Sequence, residues 1–165
     1  MSAGDAAVFR IGLGTDLHRL VEGRRLVLGG VTLPCSLGAE SHSDGDALIH
    51  AVIDALLGAA CLGDIGELFP NNDFRWKDAD SRELLRQTAA KLNSAGWDIV
   101  NIDAVVSCEE PKILPYRDTI RASLAGVLNL SVDHVFVKGK TGEGMGDVGE
   151  GRAVSVIAVC LIRAR

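Results

Sequence analysis

The sequence predicts an α+β fold: a two-layer sandwich in which a mixed sheet of about four main strands carries helices on one face, with a small hairpin beside it. Three observations carry this expectation. Segments of period-two alternation and segments of helical periodicity follow one another in the order β-ββ-α-α-β-α-β-β. No repeat, low-complexity tract or linker divides the 165 residues, so a single domain over 1–165 is expected, with 1–9 as a flexible N-terminal extension. Hydrophobic residues make up 47% of the chain but aromatics only 4%, so the core must be built from Leu, Val, Ile and Ala.

The elements follow in order. Val8 to Asp16 alternates loosely and predicts a first strand. Leu26–Leu28 and Val31–Leu33 flank Gly29-Gly30 and predict a tight hairpin that Pro34 ends. Ser43 or Asp44 is placed to cap a helix running to about Leu62, with Gly63 as its stop, and the segment from Gly63 to Asp73 predicts a loop. Asp80-Ser81-Arg82-Glu83 has the pattern of a capping box; it opens a second helix with Leu84, Leu85, Thr88 and Leu92 buried and Gly96 at its end. Trp97 to Ser107 alternates, with Val100, Ile102, Ala104 and Val106 on one face. Pro115 starts a third helix ending near Asn129, and His134–Gly139 and Ala153–Ile162 complete the strands. The last strand is apolar on both faces, so either it lies centrally in a covered sheet or a second copy of the chain covers it.

Composition excludes several classes of function. A net charge of −5 and a pI near 5.3 leave no broad basic face for nucleic acid. No apolar run reaches membrane-span length, and residues 1–9 lack the pattern of a signal peptide. The four cysteines, at 35, 61, 108 and 160, form no Cys-x-x-Cys pair and read as reduced, mostly buried thiols of a cytoplasmic protein.

The chemistry concentrates in a few places. Asp16 and His18 stand two apart, which on a strand turns both to one face, and His50 lies one turn into the first helix. One carboxylate and two imidazoles make a zinc set that leaves a fourth position open for catalysis. Asp46, His50 and Asp54 follow at intervals of four, so either aspartate is placed to support the free nitrogen of His50, unless the stripe is simply a wet helix face. The glycine-dense stretch from Thr141 to Gly151 suits backbone contacts to phosphate but lacks P-loop spacing, and a plain hairpin loop has the same composition. Lys112, between Pro111 and Ile113-Leu114-Pro115, is either a phosphate contact or a snorkelling surface cation.

Taken together, these segments resemble the 2-C-methyl-D-erythritol 2,4-cyclodiphosphate synthases, from Arg10 to Ile162. The resemblance rests on Arg10 through His18, on His42-Ser43-Asp44-Gly45-Asp46 with His50 and Asp54, and on Leu62-Gly63-Asp64-Ile65-Gly66 with Leu68-Phe69-Pro70. Pro111 through Pro115 and Thr141-x-Glu143 complete it. It implies Asp16, His18 and His50 as zinc ligands and His42 and Thr141 as stabilisers of the transition state. It further implies Ser43, Asp64, Ile65 and Gly66 as contacts to the methylerythritol phosphate, and Glu143 as the group serving a second divalent ion, Mg²⁺ or Mn²⁺, on the diphosphate. Cys108, Pro111, Lys112, Ile113 and Leu114 match the cytidine pocket. The implied enzyme is a homotrimeric phosphorus–oxygen lyase of isoprenoid precursor biosynthesis, with active sites between subunits. It takes a small cytidine diphosphate substrate and engages neither nucleic acid nor membrane.

One departure stands out. The family commonly reads Gly-Arg-Gly-Glu-Gly where this chain reads Gly149-Glu150-Gly151-Arg152-Ala153, and Asp147 replaces an aromatic. The resemblance links these positions to a cavity on the trimer axis where family members hold prenyl diphosphates, and the exchange argues against such binding here. Asn71 also stands where aspartate is more typical. Two other functions use the same residues: a zinc phosphohydrolase acting through metal-bound hydroxide, and a non-catalytic trimeric nucleotide-binding scaffold.

Overall fold

The computed structural model describes residues 7–165. Strand β1 (Phe9–Glu22) is followed by β2 (Leu26–Leu28), β3 (Val31–Leu33) and β4 (Leu37–Ala39). Helix α1 (Ala47–Ala60), the single-turn α2 (Ile65–Leu68) and α3 (Ser81–Ser94) come next, then β5 (Trp97–Ser107). Helix α4 (Arg117–Leu128), β6 (Val135–Lys140), the single-turn α5 (Gly146–Gly149) and β7 (Ala153–Ala164) close the fold. The expected α+β sandwich is present, with a five-stranded sheet in the order β4-β1-β7-β5-β6 and a separate β2–β3 hairpin. All pairs in the sheet are antiparallel except β5 with β6.

The hairpin turns where expected, because Gly29 and Gly30 both take positive φ, 62° and 76°. Several boundaries differ from the sequence expectation. Strand β1 runs on past Asp16 to Glu22, because β7 pairs with it from Phe9 to Arg19 and β4 from Leu20 to Glu22. The loop after Gly63 contains α2, and the glycine-dense segment contains α5; each is a single turn too short to show a period. Most of the expected N-terminal extension lies outside the described residues. Its last residue, Phe9, opens β1, and the Val8 carbonyl accepts the Ala164 N–H.

Helix α1 crosses β1 and β7, α3 packs on α1 and β5, and α4 covers β6. The core between these layers is aliphatic, with Leu48, Ile53, Leu57, Leu85, Ile102 and Leu124 fully buried. Close approach of α1 to β1 depends on Gly12 and Gly14. A methyl group at Gly14 would overlap the Ala51 carbonyl oxygen, and one at Gly12 would overlap that of Ala55.

The cap of α1 is neither Ser43 nor Asp44 but Asp46, whose Oδ1 accepts the Ile49 N–H at 2.9 Å. The same carboxylate accepts the N–H groups of Gly29 at 2.9 Å and Gly30 at 2.6 Å, so it ties the hairpin turn to the helix start. Asp46 is fully buried. Burial pushes its pKa up to about 6, against these three donors, which pull it down.

Among the described residues nothing covers the far face of the sheet. Ile11, Leu13 and Leu17 of β1 are 74%, 64% and 64% exposed, and Ile157 and Val159 of β7 also face outward. Although β7 is the central strand, its second apolar face has no cover among the described residues. No helix among the described residues is long and apolar enough to cross a membrane.

Two stability predictions follow from the α1 contacts. Replacing Gly14 with alanine should lower the urea-unfolding free energy by at least about 1–3 kcal/mol through overpacking against backbone, and an unchanged midpoint would contradict the close contact. Asp46→Ala should cost at least about 3 kcal/mol by removing a cap and stranding buried N–H donors, again read by urea unfolding. A loss below 1 kcal/mol, within the range of an ordinary surface change, would refute that role.

Candidate active site

Asp16 and His18, two apart on β1, present their side chains on the helix-covered side of the sheet, and α1 brings His50 to them. Asp16 Oδ2 lies 2.9 Å from His18 Nε2 and 3.1 Å from His50 Nδ1, and the two ring nitrogens are 3.3 Å apart. All three residues are partly buried. A tetrahedral ion with bonds of about 2.0–2.1 Å sets its ligands about 3.3 Å apart, so this trio needs only slight expansion to hold one. One oxygen and two nitrogen donors are the set expected for zinc at an open site. Burial raises the Asp16 pKa, but its hydrogen bonds to the two imidazoles outweigh that and hold the carboxyl well below the usual range. Burial disfavours a charged His50, yet the carboxylates facing it, Asp16 foremost, raise its pKa on balance.

The expected support of His50 by Asp46 or Asp54 does not occur. Asp46 is committed to the hairpin and the helix cap, and Asp54 Oδ1 accepts the Ile65 N–H at 2.8 Å, fixing the start of α2 beside the site. His50 Nε2 instead meets two hydroxyls, Ser81 Oγ at 3.1 Å and Ser43 Oγ at 3.2 Å. The four-residue spacing on α1 suggested aspartates as partners, whereas the groups that reach the ring come from another helix and from the preceding loop.

Above the trio opens a cavity of about 190 Å³ that also takes in His42, Ser43, Ile65 and Gly66 from the expected set. His42 Nε2 is buried there without a hydrogen-bond partner among the described residues, as is Nε1 of Trp76, which stacks edge-on against Phe69. Trp76 sits in a short 3₁₀ turn and gave no signal in the sequence, and Asn71 lines the same cavity. Asp64 is not among the residues lining the cavity; it caps α2, its Oδ1 accepting the Glu67 N–H.

The remaining expected residues gather elsewhere. Cys108, Lys112, Ile113, Leu114, Thr141 and Glu143 line a second cavity of about 540 Å³, with Pro111 in the adjoining turn. Thr141 Oγ1 donates to Glu143 Oε1 at 2.7 Å. Arg117, Lys138 and Lys140 also line this cavity, so a chain with net charge −5 concentrates four cations around one acidic group. Lys112 is balanced by Glu109 and Glu110 and Lys138 by Asp103, while Lys140 forms no ion pair among the described residues. Of these cations the sequence pointed only to Lys112, because Arg117 arrives from α4 and Lys138 and Lys140 from β6.

The two cavities lie at the same end of the sheet. Asp16, Val156, Val106 and Gly139 stand in one row across β1, β7, β5 and β6. Three strand spacings separate the first from the last, about 14 Å. Glu150 and Arg152 form an ion pair, and Arg152 also reaches Asp147 at 2.6 Å. Of the cysteines, Cys108 and Cys160 are buried, Cys35 is intermediate and Cys61 is exposed, so the expectation of mostly buried thiols holds for only two.

Residues 9–163 match the model of the YgbB family. A 2-C-methyl-D-erythritol 2,4-cyclodiphosphate synthase from Treponema denticola is 55% identical over 156 residues, covering 94% of this chain and 97% of that protein. The bifunctional IspDF from Campylobacter jejuni superposes with a TM-score of 0.93 at 36% identity, over 97% of this chain and 43% of that longer one. A 2C-methyl-D-erythritol-2,4-cyclodiphosphate synthase solved in a CDP-bound form superposes at 0.86 with 40% identity, over 93% and 99% of the two chains. With its fold, its Asp16–His18–His50 trio and near-full-length similarity in agreement, this chain belongs to the YgbB family, the 2-C-methyl-D-erythritol 2,4-cyclodiphosphate synthases, phosphorus–oxygen lyases of isoprenoid precursor biosynthesis.

Proposed function

We propose that this chain carries out its family's cyclisation in a site completed by a second copy of itself. The 2-phosphate of 4-diphosphocytidyl-2-C-methyl-D-erythritol 2-phosphate attacks the β-phosphorus of the same molecule, and CMP leaves as the bond to its phosphate breaks. The observation that carries this reading is the convergence of Asp16, His18 and His50 in a cavity whose other walls hold His42, Ser43, Ile65 and Gly66.

In phosphoryl transfer the protein's work is positioning and neutralisation of charge. When bound, zinc at the trio and a magnesium or manganese ion at Glu143 supply Lewis-acid polarisation and a template for the anionic groups. Ser43, Asp64, Ile65 and Gly66 hold the methylerythritol phosphate above the trio. His42 lines the cavity, and its buried Nε2 has no hydrogen-bond partner among the described residues; a turn of the ring toward the substrate lets it donate to phosphoryl oxygens as their charge grows. Thr141 plays the matching role from the second cavity once its hydroxyl turns from Glu143 to the substrate. Cys108, Pro111, Lys112, Ile113 and Leu114 form the cytidine pocket, and a relative solved with CDP supports that choice of nucleotide.

The two cavities of one chain are separated by β7 and β5, so a single copy offers two half-sites. The uncovered face of β1 and β7 is apolar enough to need a partner, and a homotrimer of such faces sets the metal half of one copy beside the nucleotide half of the next.

Product analysis tests the reaction. Purified protein with zinc and magnesium should convert the substrate to a cyclic diphosphate and CMP by ³¹P NMR, and chelation should abolish both. Linear phosphates as products, or turnover without metal, would overturn the reading. Subunit mixing tests the shared site: Asp16→Ala and Thr141→Ala chains, each inactive alone, should regain activity when refolded together, with about a quarter of sites intact in random assemblies. No recovery from mixed assemblies would place the whole site within one chain.

A further inference from the structure

We propose that Ser81 and Asp44 act as positioning residues that fix the tautomer of His50, so that its Nδ1 lone pair is held toward Asp16 and His18. This rests on the reading that these three residues bind zinc. Ser81 is the first residue of α3 and is fully buried, although the helix is already capped by Asp80, so its hydroxyl is not needed as a cap. Asp44 grips Ser81 at two points: Oδ2 accepts the Ser81 N–H at 3.0 Å, and Oδ1 accepts the Ser81 hydroxyl at 2.5 Å.

Counting protons then determines the state of the imidazole. An ionised carboxylate only accepts, so the single hydroxyl hydrogen of Ser81 is spent on Asp44. Toward His50 Nε2, 3.1 Å away, Ser81 Oγ therefore has only a lone pair to offer. Nε2 carries the hydrogen in that contact, so when zinc takes the place of the hydrogen that Nδ1 shares with Asp16, Nδ1 is the nitrogen that offers its lone pair. Nδ1 is also the nitrogen that lies 3.1 Å from Asp16 Oδ2 and 3.3 Å from His18 Nε2. Ser43 Oγ, 3.2 Å from Nε2, accepts the Gly45 N–H and lies 3.3 Å from Ser41 Oγ; with its own hydrogen turned to Ser41 it offers Nε2 a second acceptor. The relay joins α3 and the loop before α1 to the metal position, and it occupies the place the α1 aspartates were expected to fill.

Zinc affinity and His50 spectroscopy test the assignment independently of turnover. In zinc-loaded wild-type protein, long-range ¹H–¹⁵N correlation should show His50 protonated at Nε2 and metal-shifted at Nδ1; protonation at Nδ1 would overturn the proposal. Ser81→Ala, titrated against a chromophoric chelator, should bind zinc about 10- to 100-fold more weakly, while the metal-free protein stays folded with only the modest fall in thermal midpoint that loss of the Asp44 hydrogen bond brings. A conservative Ser81→Thr variant, which keeps the hydroxyl, should restore the affinity. Equal zinc affinity in wild type and Ser81→Ala would overturn the Ser81 assignment alone. Wild-type protein that takes up no zinc would overturn this proposal together with the reading beneath it.

Discussion

Strand β1 is bare of side chains where helix α1 crosses it, and this absence allows the site to form. At Gly12 and Gly14 any methyl group would overlap the carbonyl oxygens of Ala55 and Ala51, so helix and strand meet backbone to backbone. Two residues beyond Gly14 stands Asp16, and one residue before Ala51 stands His50. The contact that seats the helix therefore also brings a carboxylate and an imidazole within 3.1 Å. Asp46 adds a second restraint at the start of α1 by holding Gly29, Gly30 and Ile49 with one carboxylate. The helix is thus fixed in depth by glycines and in register by a buried aspartate before any metal is considered.

Charge is distributed on the same principle of local concentration. The chain is acidic overall, yet the second cavity is walled by Lys112, Arg117, Lys138 and Lys140. Under the proposed function an anionic nucleotide meets the protein there, while the trio and its cavity serve the other end of the molecule. Two strands separate the halves, so the proposed function makes self-association part of the chemistry, with the apolar outer face of β1 and β7 as its surface.

Much of this was legible in the sequence, for reasons that differ by element. The period-two runs of β5 and β7 and the amphipathic α3 matched their observed spans closely, because each repeats its pattern over ten or more residues. Strand β4 and the single turns α2 and α5 were not foreseen, since three or four residues cannot display a period. The Asp16–His18–His50 trio was visible because strand spacing acts locally and the apolar run put His50 near the start of α1, although the cap there is Asp46. The support of His50 was misread: i, i+4 logic on α1 favoured Asp46 and Asp54, while Ser81 lies 31 residues away. Trp76, Arg117, Lys138 and Lys140 likewise acquire their place only through tertiary contacts.

Zinc-edge X-ray absorption on the metal-loaded protein tests the central claim most directly, because it reports the donor atoms themselves. The account predicts one carboxylate oxygen, two imidazole nitrogens and one exchangeable light ligand, all at about 2.0–2.2 Å. A sulfur shell at about 2.3 Å, or a shell without imidazole scattering, would contradict it.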